Sequence, residues 1–309
     1  MKLARVTMTI IAIAIIAFFG YTNFKYFSKI DLLSPIIDMN SSEITISIND
    51  PITQVMDGVT ATDSKDGDVT NKIVIKGVSN FTEKDKRDVD FIAFDNDGNY
   101  SEAQRTLIYS DYESPKFEIK GALKFPIGTT DKDILSKVSV WDCLDGDISN
   151  KITFSSQSVV NSSVPAKYKV DLCIENSAGD SVILPVTIEI YNSMVSSIAP
   201  TINLNKYLVY TDMGTKINPL DYIENIEYRG QTYGLTDGEG TFGIDTSDWD
   251  SYAKKEFARR DPEVNVDKIE ISNYINYQIP GVYEIVYDLE DMEENVGSVT
   301  LTVVVQDYE

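Results

Sequence analysis

The acidic residues are the first candidates for chemistry, because they cluster at short spacing. Asp63, Asp66 and Asp68 fall in the stretch Val59–Ile73, and Asp95 and Asp97 in Val89–Asn99. Carboxylates gathered from two such turns could give a hard cation, calcium above all, several oxygen ligands. No stretch has EF-hand spacing, since the glycine of Asp95-Asn96-Asp97-Gly98 stands fourth rather than sixth. The alternative for the same residues is turn chemistry, in which Asp and Asn accept backbone N–H bonds. Calcium is the one cofactor to consider.

Other reactions are narrowed by what the chain lacks. Its 309 residues include no histidine, which removes Ser-His-Asp and Cys-His nucleophile systems, His-ligated zinc and the usual proton shuttle. Two cysteines, Cys143 and Cys173, are too few for a zinc or iron–sulfur centre. Alternation places Cys173 on the outward face with Lys169 and Asp171, and Cys143 beyond Trp141, opposite Val138 and Val140. Such a pair can form a disulfide if the two strands neighbour each other in one sheet; otherwise it stays as two free thiols.

Gly238-Glu239-Gly240-Thr241-Phe242-Gly243 matches the dinucleotide fingerprint letter by letter. That motif needs a buried strand before it and a helix after it, and this one is flanked by acidic residues, so it reads as a loop. With 49 acidic against 27 basic residues the net charge is −22. A field of that sign repels phosphate backbones, and no nucleic-acid partner is expected. No catalytic constellation stands out, so the chain is not expected to be an enzyme. A glycan hydrolase built on paired carboxylates, which needs no histidine, is the enzymatic alternative.

Aromatic residues gather between Arg229 and Asp261: Tyr233, Phe242, Trp249, Tyr252 and Phe257. Ser247 with Asp250 three residues on is a capping-box pattern. Trp249, Tyr252, Ala253 and Phe257 then share one helical face, with Lys254, Lys255, Arg259 and Arg260 near the end and Pro262 beyond. Tyr233, Trp249, Tyr252 and Phe257 are candidates to meet a protein or glycan partner. The competing expectation is that this face packs on the edge of its own domain.

The elements that must position these residues are repeated. Val59–Ile73 returns without a gap as Val138–Ile152. Val89–Asn99 returns as Val170–Asp180 and, more weakly, as Val282–Asn295. Each copy opens on a small residue and proline, Ser34-Pro35, Ser114-Pro115 and Ala199-Pro200, and closes on an alternating run. Tyr168, Val170, Leu172 and Ile174 alternate with Lys169, Asp171, Cys173 and Glu175, which is the pattern of a half-buried strand. The domains expected are 34–112, 113–192 and 198–309, the last with a helix-containing insertion near 229–262. Composition, 42% hydrophobic and 25% charged, is that of an ordinary folded chain. The expected fold is all-β, with sandwiches of about 80 residues joined by short linkers.

Thr60-Ala61-Thr62-Asp63 with Asp66-Gly67-Asp68-Val69, then Ala93-Phe94-Asp95 with Gly98-Asn99, resembles the bacterial Ig-like surface domain related to hyalin repeats and to the Ig-like domain of certain crystal toxins. The resemblance is strongest in the first copy. In the second, Asn176 stands in place of the late Asp, and in the third the Asp-Gly-Asp turn is missing. It implies three tandem Ig-like β-sandwich domains serving as spacer or binding module on an exported protein, with no chemistry of their own.

No charge interrupts Val6–Phe24, which as a helix at 1.5 Å per residue would span about 28 Å, near the thickness of a bilayer core. Tyr21, Phe24, Tyr26 and Phe27 beside Lys25 and Lys29 resemble an interfacial rim. A cleaved signal peptide is the alternative, although Ala17-Phe18-Phe19 places a bulky residue where signal peptidase wants a small one. Residues 1–30 are therefore expected to be a single transmembrane helix anchoring an extracellular body to the cell membrane. All 49 acidic residues lie in that body. The expected function is that of a non-enzymatic surface protein, with a structural subunit of a pilus or envelope complex as the alternative.

Overall fold

The computed structural model describes residues 2–27, 32–192, 199–228, 230–235, 242–243, 269–291 and 294–307. Apart from one long N-terminal helix it is mostly strand, arranged among the described residues as six sheets. The chain divides into two compact units, Met1–Tyr112 and Glu113–Glu309.

The first unit begins with the helix α1 (Lys2–Phe27), whose segment Thr7–Lys25 is long and apolar enough to cross a membrane. Strands β1 (Ile36–Met39), β3 (Val59–Asp63) and β4 (Gly67–Asp68) form one sheet. β2 (Glu43–Ile46), β7 (Tyr100–Tyr109), β6 (Lys86–Phe94) and β5 (Ile73–Glu83) form the other, with β2 parallel to β7. Alternation decides which side chains face inward: Val59 and Ala61 from β3, Val89, Phe91 and Ala93 from β6, and Leu107 from β7 are buried. Each large apolar side chain so buried contributes about 1.5–3 kcal/mol before chain entropy is counted.

The second unit opens with β8 (Lys116–Ile119), β9 (Lys124–Pro126) and α2 (Asp131–Leu135), the last held by a capping box between Thr130 and Asp133. β10 (Val138–Asp142), β11 (Gly146–Asp147), β12 (Thr153–Phe154), β13 (Ala166–Glu175) and β14 (Ser181–Tyr191) follow. The sheet orders are β11-β10-β8 and β12-β13-β14-β9, with β9 parallel to β14. Gly67 and Gly146, the middle residues of the two Asp-Gly-Asp turns, have φ of 75° and 73°, a left-handed conformation that glycine adopts without strain.

The same connectivity is drawn once more by β15 (Thr201–Leu204), β16 (Leu208–Asp212), β17 (Ile223–Tyr228), β18 (Gln231–Leu235), β19 (Phe242–Gly243), β20 (Ile269–Asn273), β21 (Gly281–Glu290) and β22 (Val296–Gln306). Their sheets run β15-β17-β18-β19 and β16-β22-β21-β20, with β16 parallel to β22. Leu208 of β16 is buried in the core between β8–β11 and β12–β14, and Tyr207, Tyr210, Val282 and Val304 pack against that core. Residues 113–192 and the strands after Ala199 thus share apolar surface within one unit.

Candidate functional site

The two acidic turns of the first unit meet at one end of its sheets, where β3 and β6 run out. Asp63 Oδ1 accepts the backbone N–H groups of Lys65 and Asp66, each at 2.8 Å. Asp66 Oδ2 accepts the Asn96 N–H at 2.7 Å and so ties one turn to the other. Asp95 Oδ1 accepts N–H bonds from Gly98 (2.6 Å) and Asn99 (2.8 Å), and its Oδ2 accepts Asn99 Nδ2 at 2.6 Å. Asp68 Oδ1 accepts the Thr70 N–H at 2.9 Å, and Asp97 pairs with the Lys65 ammonium at 2.5 Å. These donors stabilise the ionised forms of Asp66, Asp68 and Asp95. The Asn96 N–H holds the Asp66 carboxyl below its usual range, and the Thr70 side chain and N–H do the same for Asp68.

The carboxylates considered for calcium, Asp63, Asp66, Asp68, Asp95 and Asp97, serve as acceptors in and between these turns. Most of the oxygens a cation would need already accept N–H bonds. Among the described residues, no group of three or more acidic or cysteine side chains is arranged to hold a metal ion. Turn chemistry is what the geometry displays.

The second unit repeats the frame. Asp142 Oδ1 accepts the Leu144 and Asp145 N–H groups at 3.0 and 2.8 Å, and Asp145 Oδ2 accepts the Ser177 N–H at 2.7 Å. Asn176 Oδ1 accepts N–H bonds from Ala178 and Asp180, both at 3.0 Å, while its Nδ2 donates to Asp142 Oδ2 at 3.1 Å. The Ser177 hydroxyl holds the Asp145 carboxyl low. A third corner has Asp291 in the place of Asp95 and Asn176. Its N–H donates to Asn295 O at 3.0 Å and its Oδ1 accepts the Asn295 N–H at 2.9 Å. Strand register puts Tyr228 in the place of Asp63 and Asp142, and its hydroxyl donates to Asp291 Oδ2 at 3.2 Å.

The disulfide candidate is corrected. Cys143 lies just past β10 in the β8–β10–β11 sheet, where its Sγ donates to Glu113 O at 3.1 Å. Cys173 belongs to β13 of the opposite sheet, between Thr153 and Ile183 on the neighbouring strands. The strands do not adjoin, and both cysteines are free. Burial raises both thiols above their ordinary pKa, which lowers the reactive thiolate fraction.

Tyr233 as a partner contact is corrected as well. It is buried in β18, in the core with Ile226 and Tyr228. Trp249, Tyr252 and Phe257, with the whole expected helix from Ser247, lie outside the described residues. Phe242 and Gly243, the end of the fingerprint-like run, form β19 paired with β18, so the run closes on a strand where a nucleotide site would open a helix.

Two features went unweighed in the sequence. Trp141 is 66% exposed on the outer face of β10, opposite Lys116 and Asp147, with its ring lying over Gly146. Its position after buried Val138 and Val140 was readable from alternation. An open groove of about 790 Å³ is lined by Lys124, Lys167, Glu189, Tyr191, Asn192 and Val296, among others. There the Lys124 ammonium pairs with Glu189 at 3.0 Å and sits 5.6 Å from the centre of the Tyr191 ring. No single strand carries that set, so no sequence motif announced it.

No protein-family model matches the chain. An uncharacterized 81.3 kDa protein of Acholeplasma phage L2 is 24% identical over 179 residues, 57% of this chain and 20% of the phage protein. The chain therefore spans about a fifth of the length of this curated relative. Among solved structures, a carbohydrate-binding module with INT domains of Clostridium perfringens ZmpB, in complex with GlcNAc, is 20% identical with a TM-score of 0.21, covering 49% of this chain and 26% of that one. A lipoprotein of Bacteroides thetaiotaomicron is 14% identical with a TM-score of 0.21, covering 62% and 100%. The protocadherin gammaB7 EC3-6 cis-dimer is 13% identical with a TM-score of 0.19, covering 89% and 74%. Likeness at that level carries no argument about family or function.

Proposed function

We propose that this chain is a non-enzymatic surface protein, anchored by α1 in the cell membrane, whose three tandem Ig-like sandwiches present a binding face outside the cell. The observation that carries the reading is the state of the apolar helix. None of the span Thr7–Lys25 is buried against the rest of the chain, and Ile10, Ile13, Ile16, Phe18 and Phe19 are all exposed. Apolar surface of that extent requires a cover, and a bilayer supplies one of matching thickness. The body behind it carries every acidic residue of the chain, which suits a soluble exterior domain. Its corners are locked by side chains bonded to turn backbone, a means of holding sandwiches stiff.

The binding face is placed on the Trp141 side of the second sandwich. A largely exposed indole flanked by Lys116 and Asp147 offers a stacking platform to a sugar ring, or an anchor to a protein partner. The test is fractionation of cells expressing the full chain and a version without residues 2–27. The full chain is expected in the membrane fraction and the shortened one in the soluble fraction. Recovery of the intact body in the medium, cleaved after the apolar run, would replace the anchor with a signal peptide.

A further inference from the structure

One outward position of the repeated frame is filled differently in each sandwich. Thr62, Trp141 and Glu227 hold it, each just before a buried corner residue, Asp63, Asp142 or Tyr228. Register supports the match. Thr62 stands between Ile36 and Asp68, Trp141 between Lys116 and Asp147, and Glu227 between Thr201 and Thr232. All three are exposed. A threonine and a glutamate serve at this place, so the fold does not require an indole there. An indole left 66% exposed adds little to the core and keeps apolar surface in water.

The ring reaches along the sheet and over the following turn. A Cβ built on Gly146 would meet its benzo edge at 3.7 and 3.9 Å. The other outward residues of these strands are polar: Lys116 and Glu118 on β8, Ser139 on β10 and Asp147 on β11. Directly opposed residues have Cβ atoms about 4.5–5.5 Å apart, so Lys116 and Asp147 flank the indole closely on its two sides. The Lys116 ammonium gives one N–H to Glu113 at 2.6 Å and keeps others to donate. Asp147 Oδ1 accepts the Ser149 N–H at 3.0 Å and the Ser149 hydroxyl at 2.5 Å. Those bonds, the hydroxyl's first, hold the Asp147 carboxyl below its usual range, and the ionised group has a second oxygen to accept with.

Such surroundings separate a sugar from a protein partner. The anchor of a protein interface sits at a charge-poor centre from which water is excluded. A partner centred on Trp141 would have to dehydrate Lys116, Glu118 and Asp147 together. A pyranose asks for less. Its axial C–H groups form an apolar face that covers an indole, and its equatorial hydroxyls project at the rim, where they both donate and accept. One ammonium and one carboxylate, on opposite sides, match such a rim without favouring either charge. The net charge of −22 repels acidic glycans from the whole body.

Resting on the binding face placed at Trp141 above, we propose that Trp141, Lys116 and Asp147 form a stacking subsite for a neutral pyranose with equatorial hydroxyls, carried on a glycan outside the cell. Trp141 covers the C–H face, Lys116 donates to a hydroxyl oxygen, and Asp147 accepts a hydroxyl hydrogen.

The experiment is isothermal titration of the full chain, in a detergent without a sugar headgroup, with cellohexaose and chitohexaose as probes. Both are expected to bind, and hexaglucuronate, the same ring bearing a carboxylate, to bind at least about tenfold more weakly. Trp141→Thr installs the residue of the first sandwich. It is expected to weaken both probes at least about tenfold while leaving the melting temperature unchanged. Asp147→Asn should weaken them as well. Absence of binding by either neutral probe would overturn the proposal, as would binding that survives Trp141→Thr. A melting temperature lowered by several degrees in Trp141→Thr would make the indole structural and overturn it too. If both probes are inert while a cross-linker at Ser139 captures a protein on intact cells, the face stands and the sugar is wrong. Membrane fractionation of Trp141→Thr is expected to match the wild type, so failure of the sugar leaves the anchored-surface reading to its own test.

Discussion

The Tyr210 hydroxyl accepts the backbone N–H of Phe117 at 2.9 Å and donates to the carbonyl oxygen of the same residue at 3.3 Å. Phe117 lies on β8, the edge strand of its sheet, so one phenol from β16 satisfies both backbone groups that the edge would otherwise leave open. Burial raises the Tyr210 pKa, against the pull of the Phe117 N–H, and keeps the hydroxyl protonated as the donor role requires. Tyr210→Phe removes the oxygen and leaves the N–H and C=O unpaired. The expected cost is about 1–3 kcal/mol, read as a lower melting temperature of the second unit with the strand content retained by circular dichroism.

Arg105 is a buried cation with backbone for company. Its Nη1 donates to Val55 O at 3.1 Å and Asp57 O at 2.7 Å, and its Nη2 to Asn40 Oδ1 at 3.2 Å. Arg105→Met keeps most of the apolar stem and strands those acceptors. Each hydrogen bond to a charged group contributes about 1.5–3 kcal/mol, so this single change is expected to destabilise the first unit by at least that much. Chemical denaturation would show it as a lower midpoint. An unchanged midpoint would mean that water replaces the guanidinium.

Acid should unfold the protein through the turn carboxylates. Asp66, Asp68, Asp145 and Asp147 all have folded-state values depressed by hydrogen bonds to Asn96, Thr70, Ser177 and Ser149 respectively. A depressed carboxylate contributes stability that is complete above its unfolded pKa, near about 4, and lost as pH falls through the folded value. Melting temperature is therefore expected to fall steeply as pH drops below about 4. Asp66→Asn should flatten part of the acid limb. A melting temperature that still climbs below that point would remove these turns from the account.

Cys143 and Cys173 should behave as slow thiols. Desolvation raises both, so the protein, prepared without reductant, is expected to take up two equivalents of a thiol reagent once denatured and to react sluggishly when native. A mass two hydrogens lighter than the free dithiol would establish a bridge and contradict the sheet assignment.

The alternation in Val59–Ile73 and Val138–Ile152 was enough to read the strands, the buried valines and the outward Trp141, because a half-buried strand prints its geometry at period two. The paired corners were half legible. Asp95, Asn176 and Asp291 recur at one place in the sequence, but Tyr228 replaces an aspartate where similarity has faded, and only strand register reveals the match. Arg105 falls on the inward face with Leu107 and Tyr109; its charge hid it, since nothing local shows the carbonyls waiting from Val55 and Asp57. Tyr233 was misjudged because aromatic density was taken for exposure, whereas β18 extends the core of its own sheet. The cysteines share an outward alternation, but which sheet each strand joins is a long-range fact that period cannot carry.

The central claim is that α1 holds an exterior body to the membrane. The measurement that meets it most directly is protease added to intact cells expressing the full chain with an N-terminal tag, after removal of any wall. The account predicts that the folded body is digested from outside while a tagged fragment of a few kilodaltons, containing Thr7–Lys25, remains in the membrane. A body that survives until the membrane is broken, or a tag that never sediments with membranes, would contradict it.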